Sequence, residues 1–342
     1  MSTNRQPTIF TVAEHAGVAV STVSRCLNGR YVSHSTKQRI LKAINALRYT
    51  RSPIARNLSL GRKGRIGVIV DSSLDPWFVQ LLAGVEEELS NHDTSMMLAS
   101  LQLAAAYDPD LVRRWIREKR VDGLSMAKPK SREKILVEAA LETSIPIVMI
   151  APDEAVGQMG SVRAIRCNNV AAGKSVADLL LDLGHVRIGF AGGPKHSDSE
   201  DRLRGLKNRL LELGVPLDPG NIFTCESWEA SAGIELGRII FSKPLAVTAL
   251  VAANDALALG LMRVAQQRKI QIPQMLSVVG FDNVPEGALI WPGLTTVAQP
   301  MREMGITARR KLFELISGVP SPEESAYPMK LIVRESTGPV PI

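Results

Sequence analysis

Between Val20 and Gly29 the chain reads VSTVSRCLNG, placing Ser21 and Thr22 one helical turn ahead of Arg25. Hydroxyls and a guanidinium on one outward face can donate to phosphates and base edges, and the arginine fork matches the O6 and N7 acceptors of guanine. An arginine serving phosphates alone is the other reading of Arg25. A second set of polar and aromatic residues falls where apolar runs end. Asp75, Trp77 and Phe78 follow IGVIV (66–70), Lys128 follows GLSMA (123–127), His196 and Asp198 follow RIGFAGG (187–193), and Trp228 follows IFTCES (222–227). Asn254 and Asp255 stand at the end of ALVAAN (249–254), and Asp282 closes LSVVGFD (276–282). Ligands of open parallel sheets bind beyond the carboxyl ends of strands. There an indole can cover the C–H face of a sugar ring while a carboxylate such as Asp282 accepts from its hydroxyls. Plainer readings make Trp77 and Phe78 core, and Asn254 and Asp255 caps of the next helix.

Reaction chemistry is absent from the pattern. Cys26, Cys167 and Cys225 are odd in number and widely spaced, which reads as three reduced thiols with no disulfide and no zinc. The five histidines do not cluster. GFAGGP (189–194) lacks both the GxGxxG order and the Lys-Ser/Thr of a phosphate loop. No nucleophile–base pair is suggested, so the expectation is no enzyme, no metal and no cofactor.

At 342 residues the chain needs about two or three domains. It has no run of 18 apolar residues, and the polar start MSTNRQPT does not read as a secretory leader, so a cytoplasmic protein without membrane contact is expected. The net charge of +7 is unevenly shared. From Met1 to Gly64 there are 11 Lys/Arg against Glu14 alone, +10, leaving 30 basic and 33 acidic residues, −3, for the rest. Basic tails lack apolar periodicity, whereas this segment has it throughout. Thr8 can cap a helix carrying Ile9, Val12 and Ala13; Gly17 ends it. Val20, Val23 and Leu27 then face inward on a second helix, and Ser33 can cap a third with Ile40, Leu41, Ile44 and Leu47 inside. Two helices around a glycine turn form a helix-turn-helix candidate. Ser52 and Pro53 open a very short amphipathic stretch with Ile54, Ala55, Leu58 and Leu60, too short to be stable alone. From Arg65 ten buried strand patterns alternate with helical ones, which means parallel sheets covered on both faces, two of about five strands each.

The stretch TVAEHAGVAVSTVSRCLNG with VSHSTKQRI, ALRYT and ARNL resembles the DNA-binding headpiece and hinge of the lactose/galactose repressor family. DPWF, LGHVRIGFAGG, Arg202 to Gly205 as Arg-x-x-Gly, AANDALALG, SVVGFDN, LTTVAQP and LIVREST are similar to the same family's effector-binding core. The resemblance implies an all-α helix-turn-helix headpiece (1–51) plus hinge helix and linker (52–64). These join an α/β core of two doubly wound parallel-sheet lobes, periplasmic-binding-protein-like (65–342). The expected lobes are about 65–163 with 298–322, and about 164–297 with 323–342. It further implies a transcriptional regulator, a repressor in most members, acting as a homodimer or a tetramer on pseudo-palindromic double-stranded operator DNA. A small sugar, sugar acid or sugar phosphate between the lobes would control that binding.

By resemblance Val20 and Ser21 discriminate operators, Ala55 and Leu58 belong to a hinge that enters the minor groove, and Leu58 wedges between base pairs; a leucine packed on its own lobe is the alternative. Arg202 would donate a fork to the effector, or bridge the lobes. Ala19 stands where the family usually has Ser, removing a cap and shifting affinity toward Thr8, Ser24, Asn28, Tyr49 and the basic residues. Ala151-Pro152 replaces a common Asp-Arg, while Lys128 and Lys130 add charge near the cleft mouth, which suggests an anionic ligand unless the lysines are merely solvated. An uptake-type solute-binding protein would share the core but lacks a reason for the basic front.

Overall fold

The computed structural model describes residues 7–50, 61–71, 76–90, 94–101, 109–160, 162–320 and 324–340. Its contacts divide the chain into residues 1–64 and 65–342.

In the first unit α1 (Ile9–Ala16), α2 (Val20–Leu27) and α3 (His34–Leu47) follow their caps. Thr11 donates its backbone N–H to Thr8 Oγ1 at 3.4 Å, and Thr8 returns its own N–H to Thr11 Oγ1 at 2.9 Å. Gly17 ends α1 at φ 60, a conformation glycine adopts without a Cβ clash. Ala19 gives α2 no side-chain cap. Val12, Val23 and Ile40 are fully buried between the helices. Each contributes about 1.5–3 kcal/mol of apolar burial, which is what holds so small a unit together. The short hinge stretch at 52–60, with Ala55 and Leu58, lies outside the described residues.

The second unit holds β1 (Arg65–Val70), β2 (Ser95–Ser100), β3 (Gly123–Ala127), β4 (Ile147–Ile150) and β5 (Arg163–Cys167) in one sheet. β6 (Ile188–Gly192), β7 (Ile222–Thr224), β8 (Ala249–Ala252), β9 (Ser277–Asp282) and β10 (Thr295–Ala298) build another. β11 (Glu324–Tyr327) then returns to the first sheet beside β5, and β12 (Lys330–Ile332) joins the second antiparallel to β10. The orders are β11-β5-β4-β3-β1-β2 and β12-β10-β9-β8-β6-β7. In each sheet the order in which strands are added therefore reverses between the parallel first and third strands, the place where such sheets bind ligands.

Helices cover both faces, so β3 and β4 are buried along their whole length. Four of them matter to the cleft: α4 (Pro76–Ser90) on the first lobe, and α5 (Asn169–Asp182), α6 (Ser197–Glu212) and α7 (Asp255–Gln267) on the second. The ten expected strands are present, with two further strands from the C-terminal segment among the described residues. The lobe boundaries are corrected by the pairing: residues 164–167, expected with the second lobe, continue β5 of the first sheet, and Glu324–Tyr327 joins it there. The apolar pattern of each strand is identical in either sheet, so composition cannot tell which edge a crossing strand joins.

Candidate nucleic-acid interface and inter-lobe cleft

On the headpiece, α2 turns Val23 into the core, and Val20, Cys26 and Leu27 pack against it half-buried. Ser21 and Arg25 are exposed on the opposite side, with Thr22 and Ser24 half-buried at its margin. Asn28, also exposed, lies 3.4 Å through Nδ2 from Ser24 Oγ. The i, i+3, i+7 spacing of Val20, Val23 and Leu27 thus leaves a polar stripe on the opposite side. Thr8 is exposed at the start of α1 and Tyr49 packs half-buried on the core. Val20 offers a reader only its exposed fraction. Tyr31, between α2 and α3, is 90% exposed, and a lone aromatic in a loop carries no periodic signal in the sequence.

In the larger unit a cleft of about 360 Å³ is lined by Asp71, Phe78, Lys128 and Lys130 from the first lobe and by His196 and Trp228, among others, from the second. Behind His196 runs a chain of buried bonds. Asn169, first residue of α5, donates Nδ2 to Asp198 Oδ1 at 2.9 Å and accepts Arg202 Nε at 2.8 Å through Oδ1. Arg202 also donates to the Ala253 carbonyl, stands 3.6 Å from Asp282 Oδ1, and lies over the Phe281 ring at 4.6 Å. Gln299 Nε2 donates to Asp282 Oδ1 at 2.5 Å. Gly205 makes this possible: a Cβ there would stand 2.0 Å from the Val170 carbonyl oxygen, so only a glycine lets α6 approach α5 closely enough to bring Arg202 to Asn169.

His196 Nδ1 accepts the Asp198 N–H at 3.1 Å, which leaves the proton of a neutral ring on Nε2. Burial keeps the imidazole below its ordinary value, against the pull of Asp198. Burial alone would raise the Asp198 carboxyl, but His196, Arg202, Lys128 and Arg166 outweigh it and hold the group ionised below the usual range. His196 Nε2, Asp198 Oδ2 and Arg202 Nη2, in residues 1%, 7% and 1% exposed, have no hydrogen-bond partner. A buried polar atom left unpaired costs stability, so each of the three calls for an explanation.

Trp228 stands edge-on to His196, ring centroids 6.3 Å apart, over Gly193, where a Cβ would come within 2.6 Å of the indole. Trp77 and Phe78 begin α4 and are only 1% and 2% exposed, packed edge-to-face at 4.9 Å within the first lobe's core. Trp77 is therefore no open stacking platform: the Lys128 ammonium lies 4.3 Å from its ring centroid and 5.4 Å from that of Trp228. Asn254 caps α7, accepting Leu257 N–H at 2.9 Å and donating to the Trp228 carbonyl at 2.9 Å. Asp255 accepts Val284 N–H at 2.9 Å and lies 2.6 Å from Thr296 Oγ1, so both serve the scaffold. Asp75 lies outside the described residues. Sequence reasoning missed Asn169 and Gln299. The Asn168-Asn169 doublet after β5 was a readable cap signal, whereas Gln299 carries none.

The headpiece and the two-lobed core together define a DNA-binding regulator with a periplasmic-binding-protein-like sensor domain. Residues 8–52 match the bacterial regulatory proteins of the lacI family, and 177–337 match a periplasmic binding protein-like domain. HTH-type transcriptional regulator DegA of Bacillus subtilis is 33% identical over 97% of this chain and 98% of its own. The ribose operon repressor of Escherichia coli is 30% identical over 87% of this chain and 89% of its own. The lac repressor dimer bound to operator and the anti-inducer ONPF superposes with TM-score 0.78 at 25% identity, covering 98% of this chain and all of that one. A CelR–cellobiose complex gives 0.72 at 25% identity, over 96% of this chain and 99% of that one. The chain belongs to the LacI family of transcriptional regulators, which are not enzymes. Among the described residues no helix is long and apolar enough to cross a membrane.

Proposed function

We propose that this regulator is a cytoplasmic repressor whose homodimer reads a pseudo-palindromic operator and whose affinity is set by a small carbohydrate-type effector held between the lobes. The observation that carries the effector reading is the grouping of His196 Nε2, Asp198 Oδ2 and Arg202 Nη2, unpaired and buried, behind a cleft that His196 and Trp228 line. Two donors and an acceptor suit vicinal hydroxyls, and an indole suits a sugar's C–H face. The relatives' names support repression, and the cellobiose complex supports the ligand class. A solute-binding protein would not need the headpiece. An effector that prefers one lobe arrangement shifts the arrangement that holds DNA, and by linkage operator DNA alters effector affinity by the same factor.

Ser21, Thr22 and Arg25 are the base-reading residues, with Leu58 as the minor-groove wedge. Operator selected from a random library and titrated with the protein tests this. Arg25→Ala costs about 1–3 kcal/mol and relaxes preference at one base pair of each half-site. A uniform loss across all sequences instead makes Arg25 a phosphate contact. Adding sugars to the protein–operator complex tests the rest: release by a sugar that also raises the melting temperature supports an inducer, tighter binding makes it a corepressor, and no response to any sugar sinks the carbohydrate reading.

A further inference from the structure

Among the cations at the cleft one lacks a carboxylate partner; the acids Glu226 and Glu229, also in the lining, are exposed at its rim. Asp282 faces Arg202 and Gln299, and Asp198 faces Asn169 with Arg202 near. On the first lobe Lys130 Nζ holds Asp71 Oδ2 at 2.8 Å, and Arg132 binds Asp71 Oδ1 at 2.9 Å and Glu133 Oε1 at 2.6 Å. Lys128, half-buried, has no carboxylate within ion-pair distance among the described residues, and its nearest defined neighbours are the two indoles.

Aromatic faces stabilise an ammonium without neutralising it. The residue is also held firmly, at φ 49 directly after β3, with its N–H donated to the Ile150 carbonyl at 2.8 Å. From the β4 side the cleft receives no competing donor: Ala151 and Pro152 are apolar, and the Pro152 carbonyl is taken by Arg166 at 2.8 Å and Ser197 at 3.4 Å. We propose that Lys128 is a specificity-determining residue that reads a negative charge on the effector, so that the ligand is a polyhydroxylated compound bearing a carboxylate or a phosphate. The inference rests on the carbohydrate reading of the cleft. The hydroxyls meet His196, Asp198 and Arg202, and the anionic group meets the ammonium between the rings, where neutralising it releases no existing ion pair.

Isothermal titration and thermal shift of the full-length protein with matched probes decide it: gluconate against glucitol, glucuronate against glucose, and glucose 6-phosphate against glucose. The expected result is an anionic member binding at least tenfold more tightly than its neutral partner. Lys128→Met, which keeps the aliphatic stem, should remove that preference, and Lys128→Arg should restore it. The carboxylate and phosphate arms separate the two sources of charge. Neutral members binding as well as anionic ones overturns the inference and leaves the carbohydrate reading standing. A preference that survives in Lys128→Met overturns the assignment to this lysine, which then only bridges the two indoles. Binding by no probe of either kind removes the carbohydrate reading and this inference with it.

Discussion

The two lobes share one strand order and face one cleft, yet they line it with different chemistry. The second lobe's side is a bonded lattice in which Asn169, Asp198, Arg202, Asp282 and Gln299 fix one another's rotamers. The first lobe's side is an apolar wall of Pro76 and Phe78 with one unmatched cation, Lys128, its other charges tied up in the Asp71–Lys130–Arg132–Glu133 network. A rigid floor can set the orientation of hydroxyls, and a plain wall with a single charge can select the class of ligand. Floor and wall should therefore respond differently to substitution.

The sharpest test of that difference compares their cations. Arg202→Met leaves Asp282 and Asp198 buried with less compensation, and breaking a buried pair of this kind costs about 3–5 kcal/mol. Lys128→Met forfeits a cation–π contact worth about 0.5–1 kcal/mol. Urea unfolding of the two variants measures both. Equal losses would mean that Lys128 is as much a part of the scaffold as Arg202, and the division of labour would fail.

Gly193→Ala strikes the junction of floor and roof. The added methyl meets the Trp228 indole at 2.6 Å, and because Trp228 is also held through its carbonyl by Asn254, the ring must tilt. Overpacking of this kind costs about 1–3 kcal/mol. Tryptophan fluorescence should shift and effector affinity fall, while a variant with unaltered emission and binding would show the indole free to give way.

The sequence carried much of this and left particular things out. Periodicity and caps were enough for the headpiece, because its elements are local: Thr8, Gly17 and Ser33 mark boundaries within a few residues of where they act. The strand-end rule placed Lys128, His196 and Trp228 beside one cleft because every parallel strand presents its carboxyl end to the same side. What it could not resolve was which of those side chains point into the cleft. Trp77 follows its strand as an open residue would, yet the first turn of α4 carries it into the core. Asn254 and Asp255 were legible as caps or as ligands, and the long-range partners Trp228, Val284 and Thr296, 26 to 41 residues away, decide the matter.

Asp255 also supplies a pH test of the floor. Burial, with the nearby Asp282 charge, pushes its carboxyl up to about 8 against an ordinary 3.8, despite the bonds from Thr296 and Val284. The folded protein thus keeps a proton that the unfolded chain releases. The associated stability is complete below the ordinary value and is lost as pH rises through about 8. Asparagine can accept from Val284 N–H and donate to the Thr296 hydroxyl, reproducing the protonated acid. Asp255→Asn should match the wild type below the ordinary carboxyl value of 3.8 and exceed it by a growing margin up to about pH 8, with a flatter melting profile between. An unchanged slope would show that the carboxylate is already ionised at neutral pH.

The smallest effect is expected where the lobes touch directly. Asp153 Oδ1 accepts the Glu154 N–H at 3.1 Å on its own lobe and the Ser197 N–H at 3.3 Å across the cleft, and Ser197 Oγ reaches the Pro152 carbonyl at 3.4 Å. These are long, partly solvated bonds between units that the effector is proposed to bring together. Asp153→Ala should lower stability by about 1 kcal/mol at most, much of it the lost helix cap. Its informative consequence is mechanical. If these contacts help to hold the lobes closed, their removal lowers the fraction of molecules ready to bind, weakens effector binding by the same fraction, and raises the radius of gyration in small-angle scattering. A variant with wild-type scattering and affinity would place the whole closing force in the wall and floor that the ligand itself joins.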